Sequence, residues 1–228
     1  MEYPGFLDLR MRLCISVILI ASLYSCNSEA KPKLTFSSLV HPKVKSIYRP
    51  LILSVYQELG IEIEIVEMLD ERENISIVNG VVDGAIAKSG EAIERYPTMI
   101  KVQPRLVVAA RYLFCQNGLL CSRAVLQQPN KSIGMTIASY ENWGKDYLAK
   151  THSFGTLDVL RAMFLQKRLD YIVYSDVLGL EAQMRSEGFQ IIKLGEMEMF
   201  HVLARAHKSL APRVSAVLKR KLVEQSLN

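Results

Sequence analysis

Val78-Asn79-Gly80-Val81-Val82-Asp83-Gly84-Ala85-Ile86-Ala87 has an echo in Gln166-Lys167-Arg168-Leu169-Asp170-Tyr171-Ile172-Val173-Tyr174. Each stretch closes a helix, crosses a short link, sets an Asp and runs into an apolar segment. A strand covered on both faces reads as such a continuous run, and a helix returning to one is the repeating unit of a parallel α/β sheet. Two copies predict two similar lobes.

Working outward from the first copy, residues 33–38 read as a strand and residues 47–59 as a helix stopped by Gly60. Ile61-Glu62-Ile63-Glu64-Ile65-Val66 alternates apolar and charged, the pattern of an edge strand with one wet face. A short helix over 70–79 and a strand over 81–87 complete a β-α-β-α-β run, which predicts parallel strands. Around the second copy, 132–137 read as a strand, 140–150 and 156–167 as helices, 170–174 as a strand, and 179–186 as a helix stopped by Gly188. Two further apolar segments, 105–114 and 199–205, are suited to cross between the lobes. Residues 209–222 read as an amphipathic helix packing back on the first lobe.

The N-terminus reads as an export segment. Arg10 and Arg12 precede an uncharged run over 13–23, the length of a signal-peptide core rather than of a membrane span. Residues 1–30 are therefore expected to be a signal peptide. Leu23-Tyr24-Ser25-Cys26 resembles a lipoprotein box that would lipidate Cys26, whereas Ser28-Glu29-Ala30 offers the small residues of a soluble-release site. Tyr24 is bulky for the first and leaves both open. Asp8 and Pro4 suit a signal segment poorly, so Met11 is a rival start.

Removing the leader leaves Cys115 and Cys121 in the body of the chain. An oxidising compartment permits them to pair, Gly118 lets the loop turn back, and closing it is worth on the order of 2 kcal/mol. His41, His152, His201 and His207 show no metal-ligand spacing, and no cofactor is expected. With 50% hydrophobic residues and a mean hydropathy of +0.13, the chain suits a globule with a true core. Its net charge of +5 is modest, and the densest basic group, Arg213, Lys219, Arg220 and Lys221, falls on the terminal helix as a solvated face. No basic stripe with interleaved aromatics suggests a nucleic-acid partner.

The order of helix, Gly or Arg, Asp and apolar strand, once per lobe, resembles the extracytoplasmic solute-binding proteins of family 3, the amino-acid-binding type. The resemblance covers roughly residues 33–225. It implies an α/β, two-lobed type II periplasmic-binding-protein-like fold, each lobe a mostly parallel sheet flanked by helices and joined by two crossover strands. Lobe 1 would take 31–109, lobe 2 would take 110–198, and 199–228 would return to lobe 1. The implied protein is a periplasmic monomer that closes on a small anionic or zwitterionic metabolite. Its partner would be a membrane permease of an ABC transporter or a sensor kinase, and it would touch the membrane only through a lipid anchor. Some proteins on this fold are dehydratases; no Gly-x-Ser-x-Gly elbow is present, and Glu91 and Glu94 read more simply as a solvated helix face.

The resemblance also carries residue roles. Arg95, twelve residues after Asp83, matches the arginine that grips a ligand carboxylate, a task suited to a rigid guanidinium fork. Lys88 is a rival cation, and a surface ion pair with Glu91 or Glu94 is the alternative for either. Ser139 and Tyr140, after the strand holding Gly134, match the second-lobe contacts, with a helix cap as the alternative for Ser139. Where amino-acid binders carry an Asp five residues after the second-lobe Asp, this chain has Ser175, with Asp176 next. Tyr48 and Trp143 are candidate aromatic walls, with core packing as the alternative.

Overall fold

The computed structural model describes residues 33–39, 44–68, 70–176 and 179–226. The expected signal peptide, both cleavage sites and Cys26 lie outside these residues. Strand β1 (Lys33–Leu39) leads through a π turn at Val44–Tyr48 into helix α1 (Arg49–Glu58), then β2 (Glu62–Met68), α2 (Asp70–Val78), β3 (Gly84–Ser89) and α3 (Gly90–Arg95). The long strand β4 (Met99–Cys115) follows, then β5 (Ser132–Thr136), α4 (Ile137–Trp143), β6 (Lys150–Phe154), α5 (Leu157–Leu165), β7 (Tyr171–Asp176), α6 (Leu180–Ser186), a second long strand β8 (Gln190–Ala204) and α7 (Ala211–Ser226).

The eight strands form one sheet in the order β2-β1-β3-β8-β4-β7-β5-β6. The order reads alike from either end once β2 is exchanged with β6, β1 with β5, β3 with β7 and β8 with β4. Strands β1, β2 and β3 are parallel, as are β5, β6 and β7, while β4 and β8 run antiparallel from Met99 opposite Ala204 to Cys115 opposite Gln190. This is the two-lobed architecture expected above.

The repeated Asp explains the repeat. The Asp83 carboxylate accepts the Thr35 N–H at 2.7 Å, the Asp83 N–H donates to the Thr35 carbonyl, and the Asp83 carbonyl accepts from Ala204. In the other half the Asp170 carboxylate accepts the Ser132 N–H at 3.2 Å and its carbonyl accepts from Gln116. Each Asp thus joins the start of its own strand to one neighbour by side chain and to the other by backbone, satisfying amides that a strand end would otherwise leave open. Residues 81–83 form a bend rather than the expected start of a strand, because Val81 N–H is held by the Ser76 carbonyl while Asp83 makes these bonds. Gly84 follows for steric reasons: a Cβ there would lie 2.1 Å from the Val202 carbonyl oxygen.

Period-two alternation gives each half two cores, one per sheet face. In the first half Phe36, Ile86 and Leu203 pack with α1 and α7 through Tyr56, Val214 and Leu218, while Ala85, Val202 and Ile77 pack on the other face. In the second half Leu113, Tyr171 and Val173 share one cluster with Trp143, and Phe114, Ile172 and Phe164 share the opposite one. Cys115 and Cys121 are joined with an S–S distance of 2.02 Å.

Two expectations need correction. The helix expected over 140–150 starts earlier and ends at Trp143, followed by a 3-10 turn at Gly144–Asp146. The side chain that caps it is Thr136, whose Oγ1 accepts the Ser139 N–H. Beyond it, Lys150–Phe154 is the edge strand β6, which the polar string Lys-Thr-His-Ser-Phe does not announce. The crossing strands are also longer than their apolar cores: β8 begins at Gln190, well before the segment at 199–205.

His201 of β8 is fully buried. Its Nε2 lies 2.9 Å from the Tyr56 hydroxyl and its Nδ1 lies 3.4 Å from the Ile86 carbonyl. Burial outweighs the pull of the Ile86 and Ala85 carbonyls and lowers its pKa from 6.5 to about 4. The unfolded chain therefore takes up a proton on this residue as pH falls through 6.5, which the folded chain resists until about 4. The stabilisation is complete above pH 6.5 and is lost between there and pH 4, an effect of about 3 kcal/mol. Urea unfolding at pH 7 and pH 4 is expected to show this loss in the wild type and to show a loss smaller by about that amount in His201→Gln.

Candidate functional site

The carboxyl ends of β1, β3, β5 and β7 converge where the two halves meet, which is where α/β sheets offer crevices to ligands. A cavity of about 120 Å³ lies there. A single water needs about 10–15 Å³ on this measure, so the space corresponds to on the order of ten waters, the size of a small metabolite.

The first half supplies Leu39, Val44, Tyr48, Lys88 and Ser89 to its wall. From the second half come Thr136, Ser139, Asn142, Trp143, Tyr174 and Ser175, and β8 adds Met197 and Met199. Most of the surface is apolar, with hydroxyls and one amide set among it.

Among the described lining residues Lys88 carries the one formal charge. Its Nζ lies 2.8 Å from Glu73 Oε2 of α2, and the two side chains are 1% and 0% exposed. Lys88 is thus no surface cation. Its charge is matched before any ligand is considered, and removing one partner of such a pair costs about 3–5 kcal/mol because the other is left buried.

Arg95 is placed differently from its expected role. It ends α3 at the surface and is not among the lining residues; its Nη2 donates to Asn142 Oδ1 at 3.2 Å. Asn142 Nδ2 in turn donates to Ser89 Oγ at 3.4 Å. Asn142 therefore ties α4 of one half to β3 and α3 of the other beside the cavity. Ser89 also caps α3 by accepting the Ala92 N–H, which fixes its side chain.

The remaining expected residues divide. Tyr48 and Ser139 line the cavity, and burial pushes the Tyr48 hydroxyl pKa up. Trp143 lines it while also belonging to the core, its ring under the Arg111 guanidinium at 4.6 Å from the centroid. Gly195 leaves room for that stack, since a Cβ there would lie 3.3 Å from Arg111 Nη2. Tyr140 packs against the same core cluster and is not among the lining residues. Asp176 ends β7 opposite Ala110, and its side chain lies outside the described residues.

Sequence reading missed Ser89, Thr136, Asn142 and the two methionines as lining residues, and it missed Glu73. Ser89 and Thr136 carry a local signal, since each is a small hydroxyl residue between a strand and a helix. Asn142 and Glu73 carry none, because their partners lie in other elements.

No protein-family model and no curated protein sequence matches the chain. Solved structures do match. The GluR0 ligand-binding core from Nostoc punctiforme in complex with L-glutamate superposes with a TM-score of 0.69 and 17% identity, over 85% of this chain and 94% of that one. The arginine-bound ArgBP from T. maritima gives 0.66 and 14% identity over 82% and 95%. An ancestral amino-acid-binding protein that is a precursor of cyclohexadienyl dehydratase gives 0.67 and 14% over 82% and 88%. At these identities the likeness concerns the fold, which is the type II periplasmic-binding-protein-like fold. Among the described residues no helix is long and apolar enough to cross a membrane, and no group of His, Cys, Asp and Glu is arranged to hold a metal.

The Arg95–Asn142–Ser89 contacts join the halves beside the cavity. Each exposed or half-exposed hydrogen bond is worth about 0.5–1.5 kcal/mol. Arg95→Ala and Asn142→Ala are each expected to lower stability by about 0.5–1.5 kcal/mol, and the double variant by less than the sum. Urea unfolding of the single and double variants checks this coupling.

Proposed function

We propose that this protein is an exported solute-binding protein whose two lobes close on a small metabolite, an amino acid or a small carboxylate, for uptake or sensing. The observation that carries this reading is the cavity at the carboxyl ends of both parallel strand sets, walled by residues of both halves. A solute there touches both lobes only when they are together, so its binding energy favours the closed form. The structural neighbours bound to L-glutamate and to arginine support the same reading.

In this proposal the lobes divide at 109/110 and again at 198/199, where β4 and β8 cross. Tyr48, Lys88, Ser139 and Trp143 contact the solute, Arg95 acts from the rim by holding Asn142, and Asp176 stands at the second-lobe edge. Export rests on Arg10, Arg12 and the apolar run behind them, with Cys26 as the residue that would anchor the mature protein. A disulfide between Cys115 and Cys121 accords with an oxidising compartment. A permease or a membrane sensor is the partner that would read the closed form.

A thermal-shift screen of the purified protein against amino acids, small carboxylates, sugars and nucleosides tests the reading. A solute at a hundred times its Kd adds about 2.7 kcal/mol, which raises Tm by about 5–10 °C for a chain of this size. Such a shift with at least one class is the expected result. A folded protein that no solute stabilises would remove the proposal.

A further inference from the structure

Helix α2 packs against the usual pattern. Its hydrophobic Ile75 is 53% exposed and Val78 also faces outward, while Glu73, Asn74 and Ser76 are buried. A helix that turns its polar residues inward loses apolar burial and adds desolvation. Such local conflicts concentrate where function requires them. Here the inward face brings Glu73 to Lys88, and Lys88 lines the cavity.

Resting on the solute-binding reading above, we propose that the ligand is an amino acid of zero net charge with an apolar side chain, and that the Lys88–Glu73 pair, rather than Arg95, reads its head group. The argument is electrostatic. Among the described lining residues the only formal charge is that of Lys88, and Glu73 matches it at 2.8 Å. A ligand carrying a net charge would bring that charge against a wall of methionine, tryptophan, leucine and valine that, among the described lining residues, offers no uncommitted opposite charge to receive it. Burying an uncompensated ion is costly enough to forbid tight binding.

A zwitterion meets no such penalty, because its carboxylate approaches the Lys88 ammonium while its own ammonium lies toward the hydroxyls of Ser89, Thr136 and Ser139. Two opposed pairs then lie side by side and their sum is zero. The side chain is left to Met197, Met199 and Trp143, and methionine adapts to irregular apolar shapes. The glutamate and arginine bound by the structural neighbours are excluded on the same ground.

Calorimetric titration of the purified protein with leucine, methionine and phenylalanine, with glutamate and arginine, and with 4-methylpentanoate and isoamylamine tests the inference. The last two are leucine without its ammonium and without its carboxylate. At least one of the three neutral amino acids is expected to bind at least tenfold more tightly than any of the four charged probes. The double variant Glu73→Leu/Lys88→Met, which removes both charges and leaves neither partner buried alone, is expected to lose at least tenfold in that affinity while unfolding cooperatively.

Glutamate, arginine or either single-charge analogue binding as tightly as the neutral amino acids would overturn the inference and leave a solute-binding protein of another specificity. Unchanged affinity in the folded double variant would likewise overturn the role of the pair. Binding of none of the seven overturns the inference alone if the wider thermal-shift screen finds a solute, and both readings if it finds none.

Discussion

The antiparallel pairing of β4 with β8 is the constraint on which the rest of the molecule hangs. It is the seam of the sheet: β3 hydrogen-bonds to β8 on one side and β7 to β4 on the other. Because both partners run through both halves, each half is an open parallel sheet closed off by the same two strands. The carboxyl ends of the two parallel sets are thereby brought to one crevice. The register between β4 and β8 shifts between Val102 and Val107, so the ladder is interrupted where the chain passes from one half toward the other.

At that crevice the structure gives up stability locally. Two ionisable side chains are held almost wholly out of water, and α2 leaves Ile75 outside while placing one of them. A hydrophobic pair of similar volume would be as stable or more so. The arrangement makes sense as a preformed dipole facing a small cavity, since fixed charges need no reorganisation when a polar group approaches. The Asn142 contacts to Arg95 and Ser89 belong to the same economy of parts: one amide joins the lobes beside the volume they enclose.

Much of the architecture was legible because the device that repeats is local. Asp83 and Asp170 each stand one residue before an apolar strand, and the bonds they make to Thr35 and Ser132 follow from parallel register, so the sequence echo marks a structural echo. Gly60 and Gly188, at φ of 72° and 86°, ended helices where their positions said they would. Strand β6 escaped notice because an edge strand paired on one side needs no apolar alternation. The site was less legible. Lys88 could be picked out as a cation near the cleft, but its partner comes from a helix that leaves Ile75 and Val78 outside while burying Glu73, Asn74 and Ser76, and nothing local reveals that arrangement. Arg95 stands at the matching spacing, yet its bond is to Asn142, 47 residues away, and spacing along one strand and helix is silent about contacts across a cleft.

Trp143 is the single tryptophan of the chain, and its indole lines the cavity. Its fluorescence reports on that volume without a label or a competing signal. Titration of the purified protein with leucine, methionine and phenylalanine should give a saturable change in the intensity or wavelength of its emission, absent with glutamate and arginine. Saturable binding by calorimetry that leaves the Trp143 emission unchanged would place the ligand elsewhere and contradict the account.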